Sequence, residues 1–344
     1  MIRVAAGMIV VLTFCASPVS TRAEGAPGSS VSVTVDNFVR AETDAAFANA
    51  IKDGGFGKFF HNRSLTPIEH QPIIRQNRDT LYSGAVFDLD AGPVTITLPE
   101  AGKRFMSMQV IDEDEYTPLV AYKAGPYTLT RTKISTRYVF VAVRTLVNPQ
   151  APGDLEEVHR LQDSIEVQQA HAGKFEVPYW DPENQKTVRQ ALLQLGSTLP
   201  DSARMFGARG HVDPVRHLIG AATAWGGNPV EDAIYLNVTP AKNDGATVYR
   251  LRVKNVPVDG FWSISVYNKD GYFEKNDLDA YTLNNLTATQ GPDGAFDIQF
   301  GDCHAAAKNC LPITTGWNYL VRLYRPRQEI RNGSWRFPEA GISQ

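Results

Sequence analysis

The densest group of residues able to do chemistry is "RQNRDTLYSG", which directly precedes a run typical of a β-strand. Arg78 beside Asp79 can hold a carboxylate ionised or present its planar fork to an anion, and Tyr82 can donate a proton or stack on a ring. We therefore assign Asp79 as a base, Tyr82 as an acid and Arg78 as an anion-binding residue. The competing interpretation is a structural Arg–Asp ion pair with a tyrosine that anchors the strand.

A second candidate is the run of four carboxylates, Asp112 to Glu115, that ends "RFMSMQVIDEDEY". These side chains could supply oxygen ligands to calcium, or the acid/base pair that glycoside hydrolysis requires. The run lacks the spacing of an EF-hand, so the sequence favours a solvated loop at the end of the strand. Asp112 is retained as a catalytic candidate.

Other polar and aromatic side chains lie on predicted strands whose residues alternate between an apolar face and a mixed face. Arg322 lies in the middle of one such strand, where a buried guanidinium needs an acidic partner or solvent. If a carboxylate of the other half of the chain pairs with it, Arg322 clamps the two halves together; otherwise it is available to an anionic ligand. The candidate ligand-binding residues are Arg78, Gln109, Trp262, Tyr267 and Arg322.

The sequence contains no G-x-S-x-G, H-E-x-x-H, P-loop or G-x-G-x-x-G motif, which argues against the enzyme and nucleotide-binding classes that carry them. His159, Asp163 and Glu166 recur at helical spacing opposite an apolar face, and we predict that they form the solvated side of a helix. His217 lies among apolar residues and is predicted to be a core histidine bonded to backbone. We predict neither a metal nor a cofactor.

The first residues are typical of a secretory signal peptide. A positive Arg3 precedes an apolar run from Val4 to Cys15, and small residues follow up to Ala23. The run is too short to span a bilayer, and a lipid anchor on its final cysteine is disfavoured by the bulky Phe14. We predict cleavage after residue 23 and a periplasmic or secreted protein that leaves the membrane.

Two cysteines, Cys303 and Cys310, remain after signal cleavage. A disulfide between them suits an oxidising compartment. A metal site that adds His304 is the alternative, but no further Cys or His pair has zinc-site spacing.

The balance of charge bears on partners. The chain has 34 Lys and Arg residues against 37 Asp and Glu, with a formal net charge of −3. A nucleic-acid-binding domain normally carries a clustered basic excess, so we predict no nucleic-acid partner. The expected partner is a small molecule or a glycan, and a homo-oligomer remains open.

The strands that must position these residues recur in order along the chain. Phe105, Ser107, Val110, Asp114 and Tyr116 match Phe261, Ser263, Val266, Asp270 and Tyr272; Asp79 and Tyr82 match Asp232 and Tyr235; Tyr138 and Arg144 match Tyr319 and Arg325. Strands draw on few residue types, so one match could be chance. Three matches in order indicate a duplication.

The predicted fold is α+β and mainly antiparallel, with two related β-sandwich domains of jelly-roll type and an inserted helical segment. Asp-Pro steps and apolar residues at helical spacing place the helices in the middle of the chain. The predicted divisions are a signal peptide (1–23), a disordered linker (24–33), a helix with the first sandwich (34–151), the helical insertion (152–225) and the second sandwich (226–344).

Several stretches together resemble exported bacterial proteins that pair domain of unknown function 1254 with domain of unknown function 1214. They are "NRDTLYSGAVFDLDAGPVTITLP", "RFMSMQVIDEDEYTP", "GKFEVPYWDP", "DPVRHLIGAATAWGGNP", "VDGFWSISVYNKDGYFEKN" and "CLPITTGWNYLVRLYRPR". The resemblance covers nearly all of the mature chain and implies a two-part, β-rich exported protein with a helical insertion, without implying a reaction. Glu115 departs from the family's DEDHY pattern, which argues against a proton-transfer or metal role there.

The sequence therefore predicts a cleft between the two sandwiches or beneath the helices, where the candidate residues converge. The first hypothesis is an enzyme that acts on a small organic molecule or glycan by hydrolytic or lyase-type acid/base chemistry. The second is a non-catalytic binding protein whose aromatic residues stack on a sugar or ring. The third is a structural assembly subunit, for which a flat apolar face is expected.

Overall fold

The computed structural model describes residues 30–71 and 73–343. The predicted signal peptide and most of the predicted linker lie outside these residues. At the end of the predicted linker, Val31 forms a parallel bridge with Trp180 and Val33 is buried. Within the described residues, no helix is long and apolar enough to cross a membrane.

The described residues form an α+β fold with mostly antiparallel sheets, as predicted. The strands are β1 (Phe60–His61), β2 (Thr80–Asp88), β3 (Val94–Leu98), β4 (Met106–Asp112), β5 (Leu119–Ala121), β6 (Gly125–Leu129), β7 (Tyr138–Leu146), β8 (Glu166–Gln168), β9 (Ala233–Val238), β10 (Tyr249–Val253), β11 (Trp262–Tyr267), β12 (Thr282–Asn284), β13 (Phe296–Phe300), β14 (Cys310–Leu311), β15 (Asn318–Tyr324) and β16 (Gly341–Ile342). The helices are α1 (Phe38–Lys52), α2 (Arg131–Ile134), α3 (Asp154–Asp163), α4 (Pro182–Gly196), α5 (Pro214–Ala224) and α6 (Gln328–Arg331), with a 3₁₀ turn at Leu89–Ala91.

The N-terminal half contains a five-stranded sheet of order β1-β2-β7-β4-β5, here called the N-terminal central sheet, and a three-stranded sheet of order β6-β3-β8. The apolar side chains of both sheets form one core, which includes Met108, Val141 and Ile96. Strand β8 comes from the predicted helical insertion, so the insertion also completes this second sheet.

The C-terminal half repeats this plan with a sheet of order β12-β11-β15-β9, here called the C-terminal central sheet, and an outer sheet of order β14-β13-β10-β16. Trp262, Ile264 and Phe300 contribute to the core of this half. The predicted disulfide is confirmed: Cys303 and Cys310 are bonded, with Cα atoms 5.6 Å apart.

The helices pack beside the N-terminal half. The side chains of Asp181 and Asp213 accept hydrogen bonds from the first backbone N–H groups of α4 and α5, each with Pro in the first turn, as the sequence predicts. Phe38 and Ala41 of α1 share an apolar cluster with Ile219 of α5 and with residues of α4. These helices cover one end of the N-terminal central sheet.

The strand register defines how the two central sheets correspond. Arg144 lies opposite Tyr82 and Ser107, and Arg322 lies opposite Tyr235 and Ser263. Arg144 therefore corresponds to Arg322, and Tyr319 corresponds to Val141, so the sequence matches of Arg144 with Arg325 and of Tyr138 with Tyr319 are wrong. The segment between β4 and β7 differs in length from the segment between β11 and β15. Residue types alone therefore match β7 to β15 in the wrong register, whereas the paired neighbours give the correct one.

Candidate functional site

The two central sheets face each other across a mixed layer of side chains. Strands β4, β11 and β15 are buried along their whole length, because one face packs on the core of its own half and the other faces the opposite half. Phe105 and Phe261, equivalent in the repeat, meet in this layer with ring centroids 5.0 Å apart. The alternation of each strand thus directs its polar face toward the other half.

Polar side chains in this layer form what we call the central polar cluster. Its members are Asn77, Asp79, Tyr82, Gln109, Arg144, Tyr235, Tyr267, Arg322 and Tyr324. Five of them, Asp79, Tyr82, Gln109, Tyr267 and Arg322, are residues that the sequence assigns to a site.

Arg322 holds one side of the cluster together. Its guanidinium donates to the hydroxyl of Tyr267 at 2.7 Å, to Ser265 at 2.8 Å and to the backbone carbonyls of Arg75 and Gln76 at 2.8 and 3.3 Å. The side chain is 2% exposed. The residue therefore clamps the segment before β2 onto the C-terminal central sheet, mainly through carbonyl and hydroxyl oxygens.

Asp79 takes part in the same clamp. Its Oδ1 accepts from Asn284 at 3.0 Å and from Thr282 at 3.4 Å, and Thr282 also bonds Ser265, the partner of Arg322. Its Oδ2 is buried without a hydrogen-bond partner in the described part of the chain. Asp79 and Arg322 are thus linked across the two halves through side-chain hydroxyl groups.

Arg78 does not pair with Asp79. Its guanidinium donates to the carbonyl of Thr66 and lies 5.4 Å from the ring centre of Tyr281. Burial lowers its pKa. The predicted Arg–Asp ion pair is therefore not formed, because the two side chains leave the backbone toward different neighbours.

The other side of the cluster surrounds Tyr82, which is half-buried. The guanidinium of Arg144 lies 5.4 Å from the centre of its ring, and the amide of Gln109 accepts from Arg144 at 2.7 Å. Gln109 also donates to the carbonyl of Gly227 at 2.9 Å. Gln109 thus fixes the orientation of Arg144 beside the tyrosine.

Tyr82 and Tyr324 share one amide group, because Asn77 Nδ2 lies 3.1 Å from the hydroxyl of Tyr82 and 3.2 Å from that of Tyr324. Burial acts to raise the pKa of Tyr82, but Arg144 and the hydrogen bonds around it lower it below the ordinary value. Burial, with the neighbouring tyrosines, raises the pKa of Tyr324 well above 10. Two adjacent hydroxyl groups are thus tuned in opposite directions.

Trp262 and Asp112 lie outside the central polar cluster. Trp262 packs edge-to-face on Phe296 in the C-terminal core, on the opposite face of β11 from Ser263 and Ser265. This places it away from a ligand in the layer, since successive residues of a strand point to opposite faces. Asp112 ends β4 and organises the turn that follows it.

Comparison with family models identifies both parts of the chain. The model described as "Protein of unknown function (DUF1254)" matches residues 56–122, and that described as "Protein of unknown function (DUF1214)" matches residues 234–328. The chain carries the DUF1254–DUF1214 pairing. The DUF1254 match contributes Asp79, Tyr82 and Gln109 to the cluster, and the DUF1214 match contributes Tyr267 and Arg322.

Solved structures resemble the chain over most of its length. The crystal structure of the VPA0106 protein from Vibrio parahaemolyticus is 18% identical, covers 90% of this chain and 100% of its own, and superposes with a TM-score of 0.68. An uncharacterized protein from Burkholderia cenocepacia is 14% identical, with 90% and 87% coverage and a TM-score of 0.49. No protein with a curated description matches the sequence. The first likeness supports the fold alone.

The acidic turn, residues 112–116, is not a solvated loop. Asp112, Glu113 and Glu115 are 2%, 6% and 1% exposed. Arg40 of α1 donates to the carbonyl of Glu113, and Gly226 donates its N–H to Glu115. The prediction of solvation was wrong because the helices cover this turn.

Burial changes the titration of the acidic turn. It raises the pKa of Asp112 to about 6 and that of Glu115 to about 8. Asp114 behaves oppositely, since hydrogen bonds from Arg209 and Arg40 outweigh burial and lower its pKa. In the described residues, no group of three or more His, Cys, Asp or Glu side chains is arranged to hold a metal ion.

A cavity of about 380 Å³ opens beside the acidic turn, lined in part by Arg40, Asp114, Arg137 and Trp180. This volume is within the range of small-molecule sites. The two arginines are already paired, Arg40 with Asp114 and Arg137 with Asp88. We therefore place this cavity second to the central polar cluster as a candidate site.

The predictions for the histidines can also be placed. His217 is buried, and its ring nitrogens face the carbonyls of Met205 and Asp114, both at 2.9 Å, so the core assignment is confirmed. His159 and Asp163 instead face Arg63, whose carbonyl lies 2.6 Å from His159 Nε2. Asp163 and Glu166 are exposed, as predicted, but Glu166 begins β8 and does not share the helix face with the other two.

Sequence reasoning missed Asn77, Arg144, Tyr235 and Tyr324 as members of the central polar cluster. Tyr235 was seen only as a repeat of Tyr82, and Arg144 only as a repeat of the wrong arginine. A register-based alignment of the two halves would have found both, because equivalent positions in duplicated sheets face the same layer.

Proposed function

We propose that this protein is an enzyme that acts on a small organic molecule in the central polar cluster, by acid/base chemistry of the hydrolytic or lyase type, with Tyr82 transferring the proton. The observation that carries the proposal is the pair Tyr82 and Tyr324. Their hydroxyl groups share the amide of Asn77, yet the pKa of the first is lowered and that of the second is raised. Neighbouring groups whose environments separate their pKa values are typical of acid/base sites.

Tyr82 suits this role by position as well as by titration. It is half-buried, so a ligand can reach it, while Arg144 beside its ring stabilises the phenolate. Tyr324 is fully enclosed and retains its proton, so it supplies a hydrogen bond rather than a base. General acid/base catalysis by such a positioned group contributes about 10²–10⁴-fold to a rate.

Asp79 has a different role in this proposal. The sequence assigns it as the base, but its carboxylate is 1% exposed and bonds Asn284 and Thr282 of the C-terminal half. We propose that Asp79, with Arg322 and Tyr267, holds the halves in register so that Tyr82 keeps its surroundings. Asp112 has the corresponding positioning role at the acidic turn.

The second candidate is a non-catalytic protein that binds a small molecule or glycan. It is favoured by the number of cluster side chains already bonded to one another, such as Arg322 with Tyr267. Stacking on Trp262 is not part of this candidate, because that side chain belongs to the core of the C-terminal half. An assembly subunit, and a homo-oligomer of either kind, remain further proposals.

A ligand screen followed by a matched pair of tyrosine variants tests the proposal. Compounds that bind the native state raise the melting temperature by mass action, and each compound found in this way is then assayed for turnover. We expect Tyr82→Phe to retain binding and to lose about 10²–10⁴-fold in turnover. Tyr116→Phe is the control, because Tyr116 is a half-buried tyrosine stacked on His217 outside the cluster.

Two results would contradict the proposal. Turnover by Tyr82→Phe at the rate of the wild type would remove Tyr82 from the chemistry. Binding of compounds that are never converted, with no dependence on Tyr82, would favour the non-catalytic candidate.

We further propose that each half is a β-sandwich of jelly-roll type and that both arose from one duplicated unit. Support comes from the matching strand orders β2-β7-β4-β5 and β9-β15-β11-β12. Equivalent backbone bonds add to it: Leu146 to Phe105 in the first half, and Tyr324 to Phe261 in the second. An exported location, periplasmic or secreted, is the corresponding proposal for the cell, and the disulfide is consistent with it.

A further inference from the structure

The repeat provides an internal comparison for two buried arginines. Arg144 and Arg322 occupy equivalent positions on β7 and β15, the second strand of the matching order in each central sheet. Each guanidinium donates through Nη1 to the equivalent residue of the neighbouring strand, Gln109 at 2.7 Å and Ser265 at 2.8 Å. The two arginines therefore share the same strand position and the same hydrogen bond to the neighbouring strand.

The remaining surroundings of the two arginines differ. Around Arg322, the carbonyls of Arg75 and Gln76 and the hydroxyl of Tyr267 take up the guanidinium, which leaves the residue 2% exposed. The position equivalent to Tyr267 in the first half is Ile111, which cannot accept a hydrogen bond. In the described residues no backbone carbonyl accepts from Arg144, and the hydroxyl of Tyr82 is the oxygen that takes the place of Tyr267 beside it.

Arg144 is a buried cation without a paired anion. It is 8% exposed, and no carboxylate among residues 30–71 and 73–343 lies within 4.0 Å of its nitrogen atoms. Burial raises the pKa of Asp232 although Arg144 nearby acts to lower it, and Asp232 Oδ1 accepts from Tyr122 at 2.7 Å instead. A desolvated guanidinium is costly unless an acceptor of opposite charge reaches it.

Tyr82 and Tyr235, which lie next to Arg144, are half-buried, so solvent reaches this edge of the layer. The neighbouring side chains are aromatic rings and neutral amides. One guanidinium in such surroundings matches a singly charged, planar acceptor, to which it can donate two parallel hydrogen bonds. A phosphate dianion would normally require more than one cation.

We infer that Arg144 binds the carboxylate of a small organic acid, in the position that backbone carbonyls occupy beside Arg322. This inference deepens the proposed function and rests on it only for the statement that the acid is the substrate. In that case the carboxylate anchors the molecule and Tyr82 faces its reacting part. Binding itself requires no turnover.

The test is calorimetric titration of the full mature chain with acetate, benzoate and inorganic phosphate. We expect benzoate or acetate to bind the wild type, and Arg144→Gln to weaken that binding by on the order of tenfold or more, since a hydrogen-bonded charge is lost. Arg144→Lys keeps the charge but not the planar fork, and should be intermediate. Inorganic phosphate should bind neither the wild type nor the Arg144 variants measurably.

Thermal unfolding without ligand provides an independent readout. Because no carboxylate of the described residues pairs with Arg144, and Tyr82 beside it is protonated in the resting protein at neutral pH, Arg144→Gln should melt at or above the temperature of the wild type. Arg322→Gln removes the clamp and should melt at a lower temperature. A marked loss of stability in Arg144→Gln would show that its partners already satisfy it, and would overturn the inference.

The remaining outcomes separate this inference from the proposed function. Unchanged carboxylate binding by Arg144→Gln, no binding of either carboxylate, or Arg144-dependent binding of phosphate alone would each overturn the inference. Turnover that survives Tyr82→Phe while carboxylate binding still depends on Arg144 would contradict the proposed function and leave the carboxylate site standing.

Discussion

The turns that follow β4 and β11 have the same backbone in different surroundings. In the acidic turn, Asp112 Oδ1 accepts the N–H groups of Asp114 and Tyr116, both at 2.9 Å. In the repeated turn, residues 268–272, Asn268 Oδ1 accepts the equivalent N–H groups, both at 3.0 Å. Asp and Asn suit this position because either oxygen can cap a turn two residues ahead.

The fourth residue of each turn has a left-handed backbone. Its φ is 62° at Glu115 and 86° at Gly271. Glycine adopts this conformation without steric cost, whereas glutamate does not. The acidic turn therefore has a strained residue, Glu115, at the position where the repeated turn has an unstrained glycine.

The difference lies in what covers the turns. Helices α1 and α5 and the segment after α5 pack on the acidic turn, through Arg40, His217 and Gly226. The repeated turn is held near the surface, where Lys275 pairs with Glu69. Both turns share one backbone arrangement, but the helices give the acidic turn a desolvated environment in which its carboxylates titrate abnormally.

The largest expected effect is the pH dependence that Glu115 imposes. Its pKa is raised to about 8 by burial, whereas in the unfolded chain it is ordinary. Between these values the folded protein keeps a proton that the unfolded chain has lost, so the free energy of unfolding falls as pH rises, by about 5 kcal/mol in total. Glu115→Gln should remove most of this fall and leave the smaller part that Asp112, with its pKa raised to about 6, contributes; urea unfolding at about pH 5 and about pH 8.5 measures the difference.

The control is Glu274→Gln, an exposed glutamate beside the repeated turn. This variant should leave the pH dependence of the free energy of unfolding as it is in the wild type. If Glu115→Gln also follows the profile of the wild type, Glu115 does not titrate abnormally and the two turns differ less than their burial indicates.

A smaller effect is expected from the cations beside each turn. Arg40 bonds the carbonyl of Glu113 and the carboxylate of Asp114, and Arg40→Met should cost about 2 kcal/mol because charged, partly buried groups lose their partner. Lys275 is 74% exposed in its pair with Glu69, so solvent screens the pair and Lys275→Met should destabilise the protein much less than Arg40→Met. Chemical denaturation at neutral pH compares the two, and equal costs would mean that the helices do not desolvate the acidic turn.

The strands and helix starts could be predicted from the sequence because their signals are local. The alternation of residues 262–267 correctly separated the core face, with Trp262, from the face with Ser265 and Tyr267. Asp181 and Asp213 marked two helix starts for the same reason.

The contacts between distant elements could not be predicted in this way. Nothing near Asp112 in the sequence shows that α1 and α5 will cover it. The sequence therefore predicts that the carboxylates of the acidic turn are solvated. Arg322 was given two outcomes, a carboxylate partner or a free guanidinium, and carbonyl oxygens supplied a third. We propose Arg144, not Arg322, as the ligand-binding arginine. This comparison depends on the strand register, which the sequence alone does not provide.

The smallest expected effect concerns the backbone of the repeated turn. Gly271→Ala should cost about 1 kcal/mol, because its φ of 86° is unfavourable for any residue with a Cβ. The added Cβ would lie 3.4 Å from the Cβ of Ile74, an ordinary contact, so the cost comes from the backbone alone.

Gly341→Ala is the matched control, since Gly341 has no positive φ and no heavy atom within 4 Å of an added Cβ. It should be neutral or slightly stabilising, because it restricts the unfolded chain. Urea unfolding of both variants measures the difference. If Gly271→Ala is as stable as the control, the left-handed conformation carries no cost at this turn, and the strain assigned to Glu115 at the equivalent position loses its basis.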